Sequence, residues 1–292
     1  MTVSIADPHS DDSGGRDICV IIPVLGEQHL TDAVIKDLRD DGYRCTIYVV
    51  DNGGDYRPRG VEHVLRPRRN LHWAGGCNFG LSTVKDRSYA AYVLLNNDVR
   101  LSRGFLAGIR AAWTGTGASL LAPADDSNWP QQRAAYTGPA GQYRPRSLDR
   151  LVPFVDGTCL FIPHSVLENV GMLDERTWPR YGWGCDKDYA LRVRQDGGEV
   201  RVTERAYLNH LGRKTAAKAQ WYDEREAEEE NNAGMSAKWG PGWRDTLYAG
   251  FDGLARDGIV QLRLLRDNRK TTLGDVTRTR PTIATDRAPR QP

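Results

Sequence analysis

Three continuous apolar runs, each followed by turn-forming residues, dominate the first hundred residues. They are Ile18-Cys19-Val20-Ile21-Ile22 before Pro23, Thr46-Ile47-Tyr48-Val49-Val50 before Asp51-Asn52-Gly53-Gly54, and Ala91-Tyr92-Val93-Leu94-Leu95 before Asn96-Asn97-Asp98. Runs without polar alternation suit strands buried on both faces, which occur in parallel sheets covered by helices. A helix-compatible segment, Leu30 to Asp41, lies between the first two and is stopped by Gly42. A shorter strand is predicted at Val61–Leu65, ahead of a glycine-rich stretch from Asn70 to Gly80. The alternation predicts an α/β fold. Open parallel sheets bind ligands outside the carboxyl ends of their strands. Asp51 and Asp98 are therefore expected to face one shared crevice.

The second half is patterned differently. Strands are expected at Ser119–Pro123, Gly157–Ile162 and around Ala206-Tyr207-Leu208. Helices are expected at Ser165–Val170, from Asp186 to Gly197, and at Ala216–Ala237. Residues 124–150 are polar and rich in Gln, Arg, Pro and Tyr, and read as a long surface loop. Residues 1–16 read as a disordered leader. Residues 17–212 read as the main domain, 213–272 as a helical extension and 273–292 as a disordered basic tail.

Composition removes several function classes. The formal charge of +2 gives no field for nucleic acid, and no apolar stretch is long enough to span a membrane. The polar, acidic start is not a secretory signal. The five cysteines are scattered without a CxxC pair, which argues against a disulfide scaffold or zinc knuckle and suits a reducing cytoplasm. The arginine-rich, alanine- and glycine-rich usage is that of a GC-rich genome, bacterial or phage.

Several residues carry chemistry. Asp98, after a buried strand, suits a hard divalent cation held together with phosphate oxygens, and Asn-Asn-Asp equally suits a turn. Asp51 is placed to accept a hydrogen bond from a nucleotide base or ribose, or to close an Asx-turn. Gly75-Gly76-Cys77-Asn78-Phe79-Gly80 permits close backbone approach without being a phosphate-loop motif. Asp186 and Asp188 flank Lys187 at a helix start, where the dipole favours carboxylates and where one of them suits a general base. His210 suits a metal ligand or a structural role. The run Glu224–Glu230 reads as a solvated helix face. Trp73, Trp129, Trp178 and Trp183 suit stacking on sugar rings or core packing.

The order of these segments is more specific than any one of them. Val20-Ile21-Ile22-Pro23-Val24, Val49-Val50-Asp51-Asn52-Gly53, Asn70 to Leu81 and Leu94-Leu95-Asn96-Asn97-Asp98-Val99 together resemble the GT-A glycosyltransferases of family 2. Gly157 to Ile162, Val170 to Glu175 and Trp183 to Arg192 continue the resemblance, which spans residues 18–212 and is nearest to the rhamnosyl- and galactofuranosyltransferase-like branch.

The resemblance implies a GT-A fold, a mixed and mostly parallel Rossmann-like sheet flanked by helices. It implies an inverting transfer from a nucleotide-diphosphate sugar to an acceptor hydroxyl. Pro23, Val24, Asp51, Asn78 and Asn97 would contact the nucleotide sugar. Asp98, with His210, would hold one Mn²⁺ or Mg²⁺. Asp186 would be the base, with Asp188, Trp183 and Trp73 on the acceptor side or behind it. Two departures stand out: Asn96 replaces the first carboxylate of the DxD motif, and Cys185 replaces the acid before the base. The acceptor would be a glycan, a lipid-linked glycan or a protein, met in the cytoplasm or at a membrane surface. The alternatives are a non-catalytic nucleotide-sugar or glycan-binding homologue and a nucleic-acid-modifying glycosyltransferase.

Overall fold

The computed structural model describes residues 17–60, 62–127, 129, 131–212 and 222–251. The expected leader and basic tail lie outside the described residues, as do 213–221 and 252–272 of the expected extension. Strands β1 (Ile18–Val24), β2 (Thr46–Asp51), β3 (His63–Leu65) and β4 (Ala91–Leu95) appear where the apolar runs predict them. They pair in parallel in the order β3-β2-β1-β4.

The sheet continues as a mixed one. β5 (Val99–Leu101), β6 (Leu120–Asp125), β7 (Asp149–Leu151), β8 (Cys159–Pro163) and β9 (Val200–His210) extend it in the order β4-β8-β6-β9-β5, with β7 also on β9. β8 runs antiparallel to both β4 and β6, while β6 and β9 are parallel.

Burial on both faces explains the missing alternation in the first strand. Ile18, Val20, Ile22 and Val24 point into one core, and Cys19 and Ile21 into the other. The first core is completed by α1 (Gln28–Asp40) and α3 (Phe105–Thr116), through Val34, Ile35, Leu38, Phe105, Leu106 and Ile109. The second is completed by α2 (His72–Val84) and α5 (Cys185–Gln195), through Cys77, Leu81, Tyr189 and Leu191. A short α4 (His164–Val170) follows β8.

The glycine-rich stretch forms the first turns of α2. A Cβ on Gly80 would lie 2.5 Å from the Ile21 side chain, so glycine there lets the helix press onto β1. Helices α6 (Glu224–Trp239) and α7 (Trp243–Tyr248) add Met235, Trp243 and Leu247 to the same core as α2 and α5. α6 opens with Asp223 as a side-chain cap on the amides of Arg225 and Glu226.

The surface-loop expectation for residues 124–150 is corrected. Gln131, Gln132, Ala134, Ala140, Tyr143, Asp149 and Arg150 are all buried. Tyr143 stacks on Tyr207 of β9 with ring centres 4.6 Å apart, and Arg150 pairs with buried Glu204 at 2.6 Å. Polar composition hid this because polar groups such as Arg150 and the Tyr143 hydroxyl are buried by pairing with Glu204 of β9.

Candidate functional site

A cavity of about 800 Å³ opens at the carboxyl ends of β1, β2 and β4. Pro23 and Val24 reach it from the end of β1, Asn96, Asn97 and Asp98 from the β4–β5 turn, and His210 from the end of β9. Trp73 enters from the first turn of α2. Trp183, Asp186 and Lys187 enter from the start of α5.

Asp98 and His210 meet because Val99 and His210 are register partners in the antiparallel β5–β9 pair. Asp98 Oδ1 lies 3.3 Å from His210 Nε2. Burial alone would push the imidazole down in pKa, but the bond to Asp98 and the nearby charges of Asp98, Asp156 and Asp125 raise it overall. The His210 amide donates to Asp126 Oδ1 at 2.9 Å.

Asp186 sits in the first turn of α5. Its Oδ1 accepts the Lys187 amide at 2.7 Å, and its Oδ2 accepts the Gly157 amide at 3.2 Å. Its pKa is raised to about 6, chiefly by burial; Lys187 pulls it down and Asp156 pushes it up. A carboxylate with affinity for a proton near neutrality is suited to general-base work.

Three expected site residues do not reach the cavity wall. Asp51 is buried below it, accepting from the amides of Gly54 (2.7 Å) and Tyr56 (3.1 Å) and from Arg66 Nε (3.1 Å). Its neighbour Asn52 lines the cavity instead and accepts the Leu71 amide at 3.0 Å. The expectation that Asp51 and Asp98 share the crevice wall is therefore corrected: the turn closed by Asp51 shapes the wall without the carboxylate entering it. Asn78 is buried within α2 and clamps the 173–175 segment through Leu173 and Glu175. Asp188 faces α6, accepting from Arg192 Nε at 2.9 Å and Trp239 Nε1 at 3.0 Å, with Lys238 Nζ at 2.8 Å.

Other residues are present in altered roles. Asn97 lines the cavity, but its side-chain amide donates to Thr31 of α1. Cys185 is buried, with its thiol on the Asp174 carbonyl and its pKa pushed up by burial. Trp178 is core, packed against Gly184 and Gly234, and does not line the cavity. Asp126, Asp156 and Lys187 line it without having been singled out for it. Asp126 was hidden in the segment read as a loop, and Asp156 by the absence of a motif around it. The acidic run of α6 is not simply solvated: Glu230 accepts the amides of Tyr181 (2.9 Å) and Gly182 (3.2 Å), and Glu226 accepts from Arg180 and Tyr181. These contacts fix the 180–182 segment on the cavity rim.

No family model matches the sequence. The uncharacterized proteins Rv1525 of Mycobacterium tuberculosis and Mb1552 of Mycobacterium bovis are each 39% identical to it over 199 residues, 68% of this chain and 76% of theirs. The chain belongs to their family. Among solved structures, that of GalNAc-T7 with UDP, GalNAc and Mn²⁺ is similar to this one, with a TM-score of 0.55 and 12% identity. The likeness covers 89% of this chain and 55% of that one, so this chain spans little more than half of the solved neighbour. It shows a GT-A fold, a nine-stranded mixed sheet flanked by helices.

Among the described residues no group of three or more His, Cys, Asp or Glu converges as a metal cage. The Asp98–His210 pair is a two-donor set. Hard divalent cations are commonly held by one or two carboxylates together with substrate phosphates. The pair therefore fits a cation that arrives with a diphosphate, and does not fit a site built from protein ligands alone. No described helix is long and apolar enough to cross a membrane.

Proposed function

We propose that this chain is an inverting glycosyltransferase that moves a sugar from a nucleotide-diphosphate sugar to an acceptor hydroxyl. The observation that carries the reading is one cavity, at the carboxyl ends of the strands, that presents both the Asp98–His210 pair and the proton-affine Asp186. The fold likeness supports it. The nucleotide would lie against Pro23, Val24 and Asn52, with Asp51 holding the turn behind it. Asp98 and His210 would hold Mn²⁺ or Mg²⁺, which when bound neutralises charge on the departing diphosphate. Asp186 takes the acceptor's hydroxyl proton. The hydroxyl oxygen forms the new bond to the anomeric carbon, and the bond to diphosphate breaks with its electron pair leaving on the diphosphate oxygen.

The acceptor class proposed is a glycan, a lipid-linked glycan or a protein, entering past Trp129 and Trp183. The test is binding of UDP, GDP, dTDP and their sugars with and without Mn²⁺, by calorimetry, followed by turnover. One nucleotide class should bind in a metal-dependent way that Asp98→Ala abolishes. Asp186→Asn should still bind and lose most turnover. Unchanged turnover in Asp186→Asn, or no donor binding at all, would refute the proposal.

A further inference from the structure

Lys187 is a lysine in an unusual place. It lines the cavity yet is only 8% exposed. Its Nζ donates to the Trp183 carbonyl at 2.8 Å and lies 3.5 Å from Asp186 Oδ1. The same ammonium stands 5.5 Å from the ring centres of Trp129 and of Phe154. Rings at that distance attract a cation, and the attraction grows as water is excluded. Four contacts thus hold a side chain that ordinarily keeps much rotamer freedom.

The two oxygens of Asp186 are consequently unequal. Oδ1 accepts the Lys187 amide and faces the Lys187 ammonium. Oδ2 accepts only the Gly157 amide among the described groups. Each carboxylate oxygen offers two lone-pair sites. Oδ2 is the one with a site to spare.

We propose that Lys187 is a positioning residue for Asp186: it holds Oδ1, keeps the buried carboxylate ionised, and leaves Oδ2 to take the acceptor's proton. This deepens the glycosyltransferase reading and rests on it for the identity of the proton donor. The charged and titratable groups bearing on Asp186 are Lys187 on its own helix, the Cys185 thiol before it, and Asp156 on the segment leading into β8. Asp156 opposes Lys187, so Lys187 is the cation that offsets both burial and a neighbouring carboxylate. The proton passes from the acceptor hydroxyl to Oδ2, while the oxygen's freed pair forms the glycosidic bond.

The test uses the full chain with Cγ-¹³C aspartate, the Asp186 resonance being identified by its loss in Asp186→Asn. In Lys187→Met and Lys187→Gln the Asp186 titration midpoint should rise by about one unit or more. Lys187→Arg should keep it near that of the unaltered chain. Should the Met variant not fold, the Gln variant retains a donor for Trp183 and decides the matter. Midpoints in both neutral variants equal to the unaltered one would overturn the proposal.

A second arm follows hydrolysis of UDP-, GDP- and dTDP-sugars against pH, with water as acceptor. The acid limb of kcat should move to higher pH in the neutral variants. A limb that stays put while the resonance moves would refute the catalytic part. Hydrolysis undiminished in Asp186→Asn would instead sink the base assignment itself, with the titration still deciding whether Lys187 governs the carboxylate.

Discussion

The indole N–H of Trp73 donates to Oδ1 of Asn96 at 2.8 Å, tying the first turn of α2 to the turn that carries Asp98. Asn96 also donates its own amide to the Thr158 carbonyl. The residue that stands where the resemblance places a carboxylate is thus part of the frame around Asp98. Its side chain is spoken for by an indole. A neutral amide satisfies that bond without adding a second negative charge in the turn that carries Asp98.

A double-mutant cycle tests this bond. Trp73→Phe and Asn96→Leu should each destabilise the fold, and together they should cost about 1 kcal/mol less than the sum of the two. Urea unfolding of the four proteins measures it. Strict additivity would show that the two side chains do not act as a pair.

Trp73 also lies between two glycines. A Cβ on Gly157 would meet its ring at 2.9 Å, and one on Gly182 would meet it at 3.5 Å from another direction. The ring is rigid and is held by Asn96, so it has little room to give. Gly157→Ala should cost about 1–3 kcal/mol by overpacking. It should also shift tryptophan fluorescence, because the indole must leave Asn96. A variant with native stability and an unchanged spectrum would disprove the close fit.

Asp188 anchors the C-terminal helices. Its buried carboxylate gathers Arg192, Trp239 and Lys238, and Lys238 also binds Asp174 at 2.8 Å. Burial would raise Asp174, but its bonds to Lys238 and Thr177 bring it down to about 2. Removing one partner of a buried ionic cluster leaves the other charges uncompensated, at a cost of roughly 3 kcal/mol. Asp188→Ala should therefore lower stability by that order. Hydrogen exchange should quicken first in Glu224–Trp239. Protection of α6 equal to that in the unaltered chain would exclude Asp188 as its anchor.

The strands were legible because continuous apolar runs admit few alternatives to burial on both faces. The direction of β8 was not, since an apolar run reads the same in either direction and only the route of the chain decides pairing. What Gly76 and Gly80 approach was not legible: they are permissive in isolation, and here they serve close packing of α2 on Pro23, Asn52 and Ile21, far away in sequence. At the site, Asp98, Asp186 and His210 were legible because each ends or begins an element at the same edge of the sheet. Asp51 and Asn52 were exchanged because adjacent residues at a strand end point to opposite sides, and one residue of register reverses their roles. Lys187 and Asp156 were not legible, because their importance lies in distances across the fold.

Among the raised carboxylates, two buried ones give the protein a particular pH dependence. Asp125 is fully buried; burial lifts its pKa to about 7 against a bond from Ser127, with Asp156 adding to the rise and His210 opposing it. Asp186 is lifted to about 6. Both ordinary values lie near 3.9. Well below about pH 4 both carboxyls are protonated in the folded and unfolded chains alike, and folding is not penalised. As pH rises from about 4 to 7, the unfolded chain releases protons that the folded chain keeps. The contribution of these two groups to stability falls across that window and levels off above it. Asp125→Asn keeps the shape without the charge, so it should remove the larger part of the slope and leave the variant more heat-stable than the unaltered chain at pH 8. Melting temperatures from pH 4 to 8 measure this. A slope of the same size in Asp125→Asn would place the burden on other groups and refute a raised Asp125 in the folded chain.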